Sequence, residues 1–278
     1  MRALEAAIHV AEQFGLHLHE PVPLRSTNNI VAWLRPAPIV AKVRRGHDAG
    51  FRRELRVAAE LSALGGPVVP PADEMPAIIH SHDGFDVTFW RYCPQPVESD
   101  FSGAQMAAAL RRLHVAYAAI SGDLRAALPS YMPELEAVSG LLRDAERLSE
   151  LPDAERHLLL HVFDSLRTRL QTLSPDETHI VIHGSPHPYN ILAVDGEPRF
   201  IDFETTCIGP LEWDLAHTAP DTEPHYADVA NARLLATCRA MVSVKTAAWC
   251  WADVNRGDLR YHAEVHLARV KELAAEYA

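Results

Sequence analysis

The chain has 278 residues, 48% of them hydrophobic and 23% charged, and a formal net charge of −11. That is enough apolar material for one large domain or two lobes, and the acid excess disfavours general binding to nucleic acid or an anionic membrane, both of which need a positive field. No run of eighteen apolar residues occurs, Met1-Arg2-Ala3-Leu4-Glu5 turns acidic where a signal peptide would stay apolar, and Cys93, Cys207, Cys238 and Cys250 form no Cys-x-x-Cys pair, so a cytoplasmic protein with buried free thiols is expected.

Along the chain, Leu4, Ala7, Ile8, Ala11 and Phe14 recur at helical spacing and predict a leading helix over 2–14. Residues 30–34 and 39–43 are short β-rich runs separated by Pro36 and Pro38, read as a hairpin. Phe51, Leu55, Ala58, Leu61 and Leu64 predict a helix stopped by Gly65-Gly66-Pro67. A second hairpin is expected from 77–79 and 85–90, turning at Asp83-Gly84. His80 and His82 alternate on that strand and are read as a solvated hairpin end rather than a metal pair, since no further ligand stands at fixed spacing. After Tyr92-Cys93-Pro94-Gln95-Pro96 the pattern turns helical, with apolar stripes over 103–120 and 153–173 and helical tails over 226–252 and 258–276. An α+β chain follows, with a small β-rich lobe at 1–93, a hinge at 91–96 and a larger, mostly helical lobe at 97–278.

The densest chemistry is His183-Gly184-Ser185-Pro186-His187-Pro188-Tyr189-Asn190, followed after a short interval by Asp202-Phe203-Glu204. Phosphoryl transfer requires metal-held phosphates, a positioned acceptor and a group that takes the acceptor's proton. In kinases a His-x-Asp-x-x-x-x-Asn loop supplies the base and one metal ligand, and an Asp at the end of a nearby hairpin strand supplies the other. Asn190 and Asp202 occupy the two ligand places. Ser185 stands at the base place, and a neutral hydroxyl does not accept a proton near pH 7 as a carboxylate does.

The segment resembles the aminoglycoside phosphotransferase family, also called the phosphotransferase enzyme family, whose loop commonly reads His-Gly-Asp-x-His-Pro-x-Asn. The resemblance continues through Phe200-Ile201-Asp202-Phe203-Glu204 and Ile208-Gly209-Pro210-Leu211-Glu212-Trp213-Asp214-Leu215-Ala216. It implies a two-lobed protein-kinase-like fold with ATP between the lobes, Mg2+ as the metal, and a small-molecule hydroxyl as acceptor, a cationic one suiting the acidic chain. By the same resemblance His183 and Asp214 are loop braces, and Trp90, Arg91, Tyr92 and Cys93 lie where adenine meets the hinge.

Lys42, one of three lysines, stands in the β-rich run Val40-Ala41-Lys42-Val43, where it would meet the α- and β-phosphates. Its partner is expected on the next helix. Glu54 follows Phe51-Arg52-Arg53, while Glu60, about 240° further round the helix, is the reserve. Arg25-Ser26-Thr27-Asn28-Asn29 has no glycine but offers hydroxyl and amide donors to phosphate, Ser26 and Asn28 first among them. Glu204, two residues past Asp202 on an extended strand, would face the same side and reach a second ion or the substrate.

Three accounts of Ser185 stay open: a weakened enzyme in which Ser185 only orients the acceptor, rescue by His187 as proton acceptor, and a non-catalytic nucleotide-binding relative. A protein kinase fits less well, since the loop reads His-Gly, no Ala-Pro-Glu follows, and 202–214 is too short for a peptide-docking segment.

Overall fold

A computed structural model describes residues 2–26, 29–46, 48–95 and 100–277. In chain order these form α1 (Arg2–Gln13), β1 (Val22–Ser26), β2 (Ile30–Trp33), β3 (Ile39–Arg45), α2 (Ala49–Ala63), β4 (His80–His82), β5 (Phe85–Arg91), α3 (Gly103–Ala118), α4 (Gly122–Ala126), α5 (Met132–Arg143) and α6 (Asp153–Leu173). Then follow β6 (Ile180–Ile182), β7 (Ile191–Val194), β8 (Glu197–Phe200), β9 (Cys207–Gly209), α7 (Leu211–Ala216), α8 (Ala232–Ala252) and α9 (Leu259–Tyr277). The chain divides into two compact units, Met1–Leu128 with Ser185–Thr206, and Pro129–Gly184 with Cys207–Ala278.

The first unit is built on an antiparallel sheet of order β1-β2-β3-β5-β4. Strand alternation divides its two faces: Ile39, Ala41 and Val43 of β3 and Phe85, Val87 and Phe89 of β5 bury against Ala3, Ala6, Ala7, Val10 and Ala11 of α1. The small residues of α1 let it lie close to the sheet. The intervening residues of β3, Val40, Lys42 and Arg44, are thereby assigned to the other face. Helix α2 begins at Asp48, whose Oδ1 accepts from Gly50 N at 2.7 Å and Phe51 N at 3.2 Å, satisfying two donors that the first turn leaves open. It buries Phe51, Glu54, Leu55, Val57, Ala58 and Leu61, and stops before Gly65, whose φ of +73° an L side chain resists.

The hairpin β4–β5 differs from expectation. Asp83 and Gly84, at φ +48° and +75°, make a two-residue turn that fixes the register Phe85↔His82, Asp86↔Ser81 and Val87↔His80. The strand therefore abuts the turn at 80–82 and leaves 77–79 outside it, with Ile78 exposed. Nor is this end wholly solvated: His80 is buried edge-on to Phe14 and Phe89, and His82 stacks on His9 at 3.9 Å.

In the second unit α6 contributes Leu159, Val162, Phe163, Leu166 and Leu170, and α8 is buried through most of its length, including Cys238 and Cys250. The short strands β6 and β9 pair through Ile180↔Gly209 to Ile182↔Cys207. Helix α5, carrying Leu135, Val138, Leu141 and Leu142 inward, was not anticipated, and the tail begins its long helix at Ala232 rather than 226. All four cysteines are free thiols.

On α9, His266 is held below the ordinary histidine range, at about 4, by burial first and then by Arg269 and His262. The folded state binds this proton less readily than the unfolded chain, so the residue's contribution to stability is complete above pH 6.5 and is lost as the pH falls toward 4. Thermal denaturation followed by circular dichroism should therefore show a smaller fall in Tm across that window for His266→Phe than for the wild type. The buried Nδ1 has no hydrogen-bond partner to lose in the variant.

Candidate active site

Within the first unit a cavity of about 680 Å³ opens on the sheet face opposite α1. Val31, Val40, Val69, Leu192 and Ile201 give it apolar walls, and Trp90, Arg91, Tyr92 and Cys93 run along it at the end of β5. Its polar lining includes Lys42, Glu54, Ser185, Asn190, Asp202 and Glu204. His187 lines it too.

Lys42 reaches the cavity by the alternation of β3, and its Nζ donates to Glu54 Oε2 at 2.7 Å and to Asp202 Oδ1 at 2.8 Å. Burial works to lower the lysine's pKa, but the charges of Glu54, Asp202 and Glu204 and the hydrogen bond to Asp202 outweigh it, so the ammonium stays charged. Glu54 is pushed up to about 7, by burial first and by Asp202 and Glu204 besides, against the pull of Lys42. What the two share is the excess of carboxylates over the lysine's single charge: it raises Lys42 against burial and adds to burial in raising Glu54. Glu60 is placed elsewhere, accepting from Ser121 N and Oγ at the start of α4.

The second half of the lining comes from the hairpin β7–β8 and its flanks; the hairpin bridges through Phe200 to Val68 in the segment after α2 and turns at Asp195 and Gly196, both with positive φ. Just before it, Asn190 donates from Nδ2 to Ser185 O at 3.0 Å, which fixes the amide so that its oxygen faces away from that bond. This Oδ1 is buried and has no hydrogen-bond partner. A buried acceptor left unpaired costs about 1–3 kcal/mol, and a hard cation satisfies it.

Past the hairpin the chain does not continue extended to Glu204 as expected. Asp202 is left-handed, at φ 67° and ψ 57°, and Phe203–Thr205 form a 3-10 turn. Glu204 still lines the cavity, carried there by the turn instead of by strand alternation. Arg44 Nη1 donates to its Oε2 at 3.0 Å, and Arg53 Nη1 to its carbonyl at 2.6 Å. Carboxylate oxygens of Glu54, Asp202 and Glu204 lie within 4.8 Å of one another, the sole such group of three or more among the described residues. The ammonium of Lys42 already sits between the first two, so this trio is an ion-pair centre. The hard oxygen donors that could hold a divalent cation are an Asp202 carboxylate oxygen and the orphaned amide oxygen of Asn190, residues that both line the cavity.

Gln95 ties the end of β5 to the hairpin: its Oε1 accepts from Ala193 N at 3.0 Å and its Nε2 donates to Cys93 O at 2.9 Å. In the second unit, Asp214 of α7 accepts from His183 N at 2.9 Å and Gly184 N at 2.8 Å, and Trp213 Nε1 donates to Gly184 O at 3.0 Å. These bonds fix the two residues that precede Ser185.

Lys42, Glu54, Tyr92, Cys93, Ser185, His187, Asn190 and Asp202 thus all line one cavity. Asn28 lies outside the described residues, and Ser26 is described only as backbone at the end of β1. Asn29, passed over in favour of those two, lines the cavity with a buried Oδ1 that has no hydrogen-bond partner. Its signal was available, because Asn29 stands immediately before β2 in the same polar segment. Arg53 and Gln95 were missed, and nothing local marks either.

Replacing Lys42 by Met should lower stability to urea by about 3–5 kcal/mol, since it strands buried Glu54 without its counter-charge. The double variant Lys42→Met, Glu54→Leu should recover most of that loss, as chemical denaturation would report.

The model of the phosphotransferase enzyme family matches residues 25–260. No curated protein sequence matches the chain. Among solved structures, the AMP-bound spectinomycin phosphotransferase APH(9)-Ia aligns at a TM-score of 0.71 and 15% identity over 96% of this chain and 96% of that one. Amicoumacin kinase hAmiN in complex with AMP-PNP, Ca2+ and Ami aligns at 0.72 and 15% identity, over 97% and 93% of the two chains. A choline/ethanolamine kinase family protein from Mesorhizobium loti aligns at 0.65 and 16% identity, over 96% and 94%. At such identities the likeness establishes the fold, a small antiparallel lobe with a helical lobe as in kinases. With the family match running from the strand before Asn29 to the start of α9, the chain belongs to the phosphotransferase enzyme family.

Proposed function

We propose that the protein is an ATP-dependent phosphotransferase that moves the γ-phosphate to a hydroxyl of a small molecule. The observation that carries this is the buried ammonium of Lys42 held between Glu54 and Asp202 in a cavity that also receives the orphaned oxygen of Asn190. In this function Lys42 contacts the α- and β-phosphates, Glu54 holds it there, and Asn190 with Asp202 holds Mg2+. A metal held by Asn190 and Asp202 would supply positive charge against the negative charge that develops in phosphoryl transfer. The backbone at Tyr92 and Cys93 meets the base, with 1–93 as nucleotide lobe and 97–278 as the lobe carrying the acceptor. Ser26 and Asn28 remain proposed phosphate contacts.

At Ser185 the acceptor hydroxyl is oriented by a hydrogen bond. A positioned general base supplies about 10²- to 10⁴-fold in rate, so its replacement by a hydroxyl slows transfer without removing the electrostatic share. His187 is the nearest titratable alternative in sequence. The acceptor is a hydroxylated metabolite or aminoglycoside-like compound, and a net charge of −11 favours a cationic one. No helix among the described residues is long and apolar enough to cross a membrane, which supports a cytoplasmic site of action.

Ser185 also favours a second function, nucleotide binding without transfer. The two part on experiment. Calorimetric titration should show Mg-ATP binding to the wild type and binding at least about tenfold weaker to Asp202→Asn; no binding to the wild type refutes both. With an acceptor panel, Ser185→Asp should raise ADP release by about 10²- to 10⁴-fold if the protein is a weakened enzyme. No gain with any acceptor would leave the binding function.

A further inference from the structure

We infer that Arg53 is a positioning residue for Asp202, through a clamp formed by the first turns of α2; the inference rests on the nucleotide-and-metal site proposed above. Glu54 and Arg53 are neighbours on α2 with different targets. Glu54 reaches Lys42 and through it the Asp202 carboxylate, whereas Arg53 crosses to the backbone carbonyl of Glu204, two residues past Asp202. Side chain and backbone of the same turn are thus held by adjacent residues of one helix.

Asp202 needs such a hold. Its φ of 67° lies in the left-handed region, which Asp tolerates better than most residues, as Asp83 and Asp195 do in tight hairpin turns; Asp202 has no such turn around it, and contacts from neighbouring elements hold it there. The lysine contact fixes the carboxylate, but a carboxylate can keep one hydrogen bond through several backbone conformations. The bond from Arg53 at 2.6 Å fixes the peptide downstream, and the bond from Arg44 at 3.0 Å fixes the Glu204 side chain.

The helix can supply this clamp because Gly50 lets it come close. A Cβ on Gly50 would stand 2.9 Å from Asp48 Oδ1, the atom that caps α2, and 3.3 Å from both Cβ and the carbonyl oxygen of Glu204. That oxygen is the acceptor of the Arg53 bond. Gly50 therefore serves the approach of the helix to the turn, at a φ that any residue adopts, and not a backbone requirement of its own.

The test compares ADP binding by calorimetry with and without Mg2+ in the wild type, Arg53→Met, Gly50→Ala and the exposed neighbour Arg52→Met. The readout is the factor by which metal strengthens binding, which a loss of general stability does not move in the folded fraction. Arg53→Met, with its stem kept, should lose about tenfold in that factor, the usual scale for groups that orient a metal ligand, while its metal-free affinity stays at the wild-type value. Gly50→Ala should lose in the same factor although alanine is the better helix former, and Arg52→Met should match the wild type. An unchanged metal factor in Arg53→Met and Gly50→Ala, or an equal loss with and without metal, would overturn the inference while leaving the site intact. If the wild type shows no metal effect at all, the proposed site fails and the clamp with it.

Discussion

A lysine ammonium taken out of water costs several kcal/mol unless opposite charge meets it at close range, and Lys42, only 7% exposed, is met twice. The cost makes the arrangement selective. Strand β3 must present Lys42 to the cavity face, helix α2 must present Glu54, and the chain must return some 160 residues later with Asp202. If any of the three is displaced, a charge is left dry and unpaired. The interaction accordingly fixes sheet, helix and hairpin relative to one another in the first unit, and the cavity walls follow from that placement.

The second unit contains a comparable construction. Lys245, buried on α8, donates to Glu134 of α5 at 2.8 Å and lies 3.1 Å from His217 Nε2, with its ammonium 5.4 Å from the centre of the Trp213 ring. His217 Nδ1 meets Trp213 O at 2.8 Å, so the imidazole donates there and accepts from the lysine. Trp213 and Asp214 are the residues that grip Gly184 and His183. The chain has only three lysines among 26 basic residues, and two of them are these buried ones. A compact ammonium with three donors suits a small polar pocket in a core; the planar fork of arginine suits the longer reach of Arg44 and Arg53 to Glu204.

What was legible in the sequence was whatever repeats. The β-rich runs at 39–43 and 85–90 marked two strands of the sheet, and the three- and four-residue steps of α2 separated Glu54 from Glu60. Elements too short to have a period were not legible: β6 and β9, three residues each, exist because Ile180 pairs with Gly209 across the intervening chain. The displaced β4 has a similar cause. An apolar run at 77–79 suggested a strand, but the two-residue turn at Asp83-Gly84 set the register and put the pairing at 80–82. In the site, residue types at fixed spacing pointed to Asn190 and Asp202, both of which line the cavity, whereas the left-handed backbone of Asp202 and its link to Arg53 are decided by partners distant in sequence. Periodicity carries no record of such contacts.

Ser185 is the one place where the residue type and the surrounding construction disagree. A site that no longer used metal and phosphate would gain from losing the buried charges around it, since well-packed apolar residues of similar volume are often neutral or more stable than a buried ion pair. Yet Lys42 and Glu54 remain dry, Asn190 keeps an amide oxygen without a protein partner, and Asp202 holds a left-handed backbone conformation. Each of these features costs stability in the isolated fold; on the proposed function a bound metal would meet the Asn190 oxygen and nucleotide phosphates would meet the Lys42 ammonium. The substitution at Ser185 touches none of them. On the proposed function, a hydroxyl in place of a proton acceptor would bear on the speed of a transfer whose barrier is lowered mainly by electrostatics, and would leave nucleotide binding to the rest of the site.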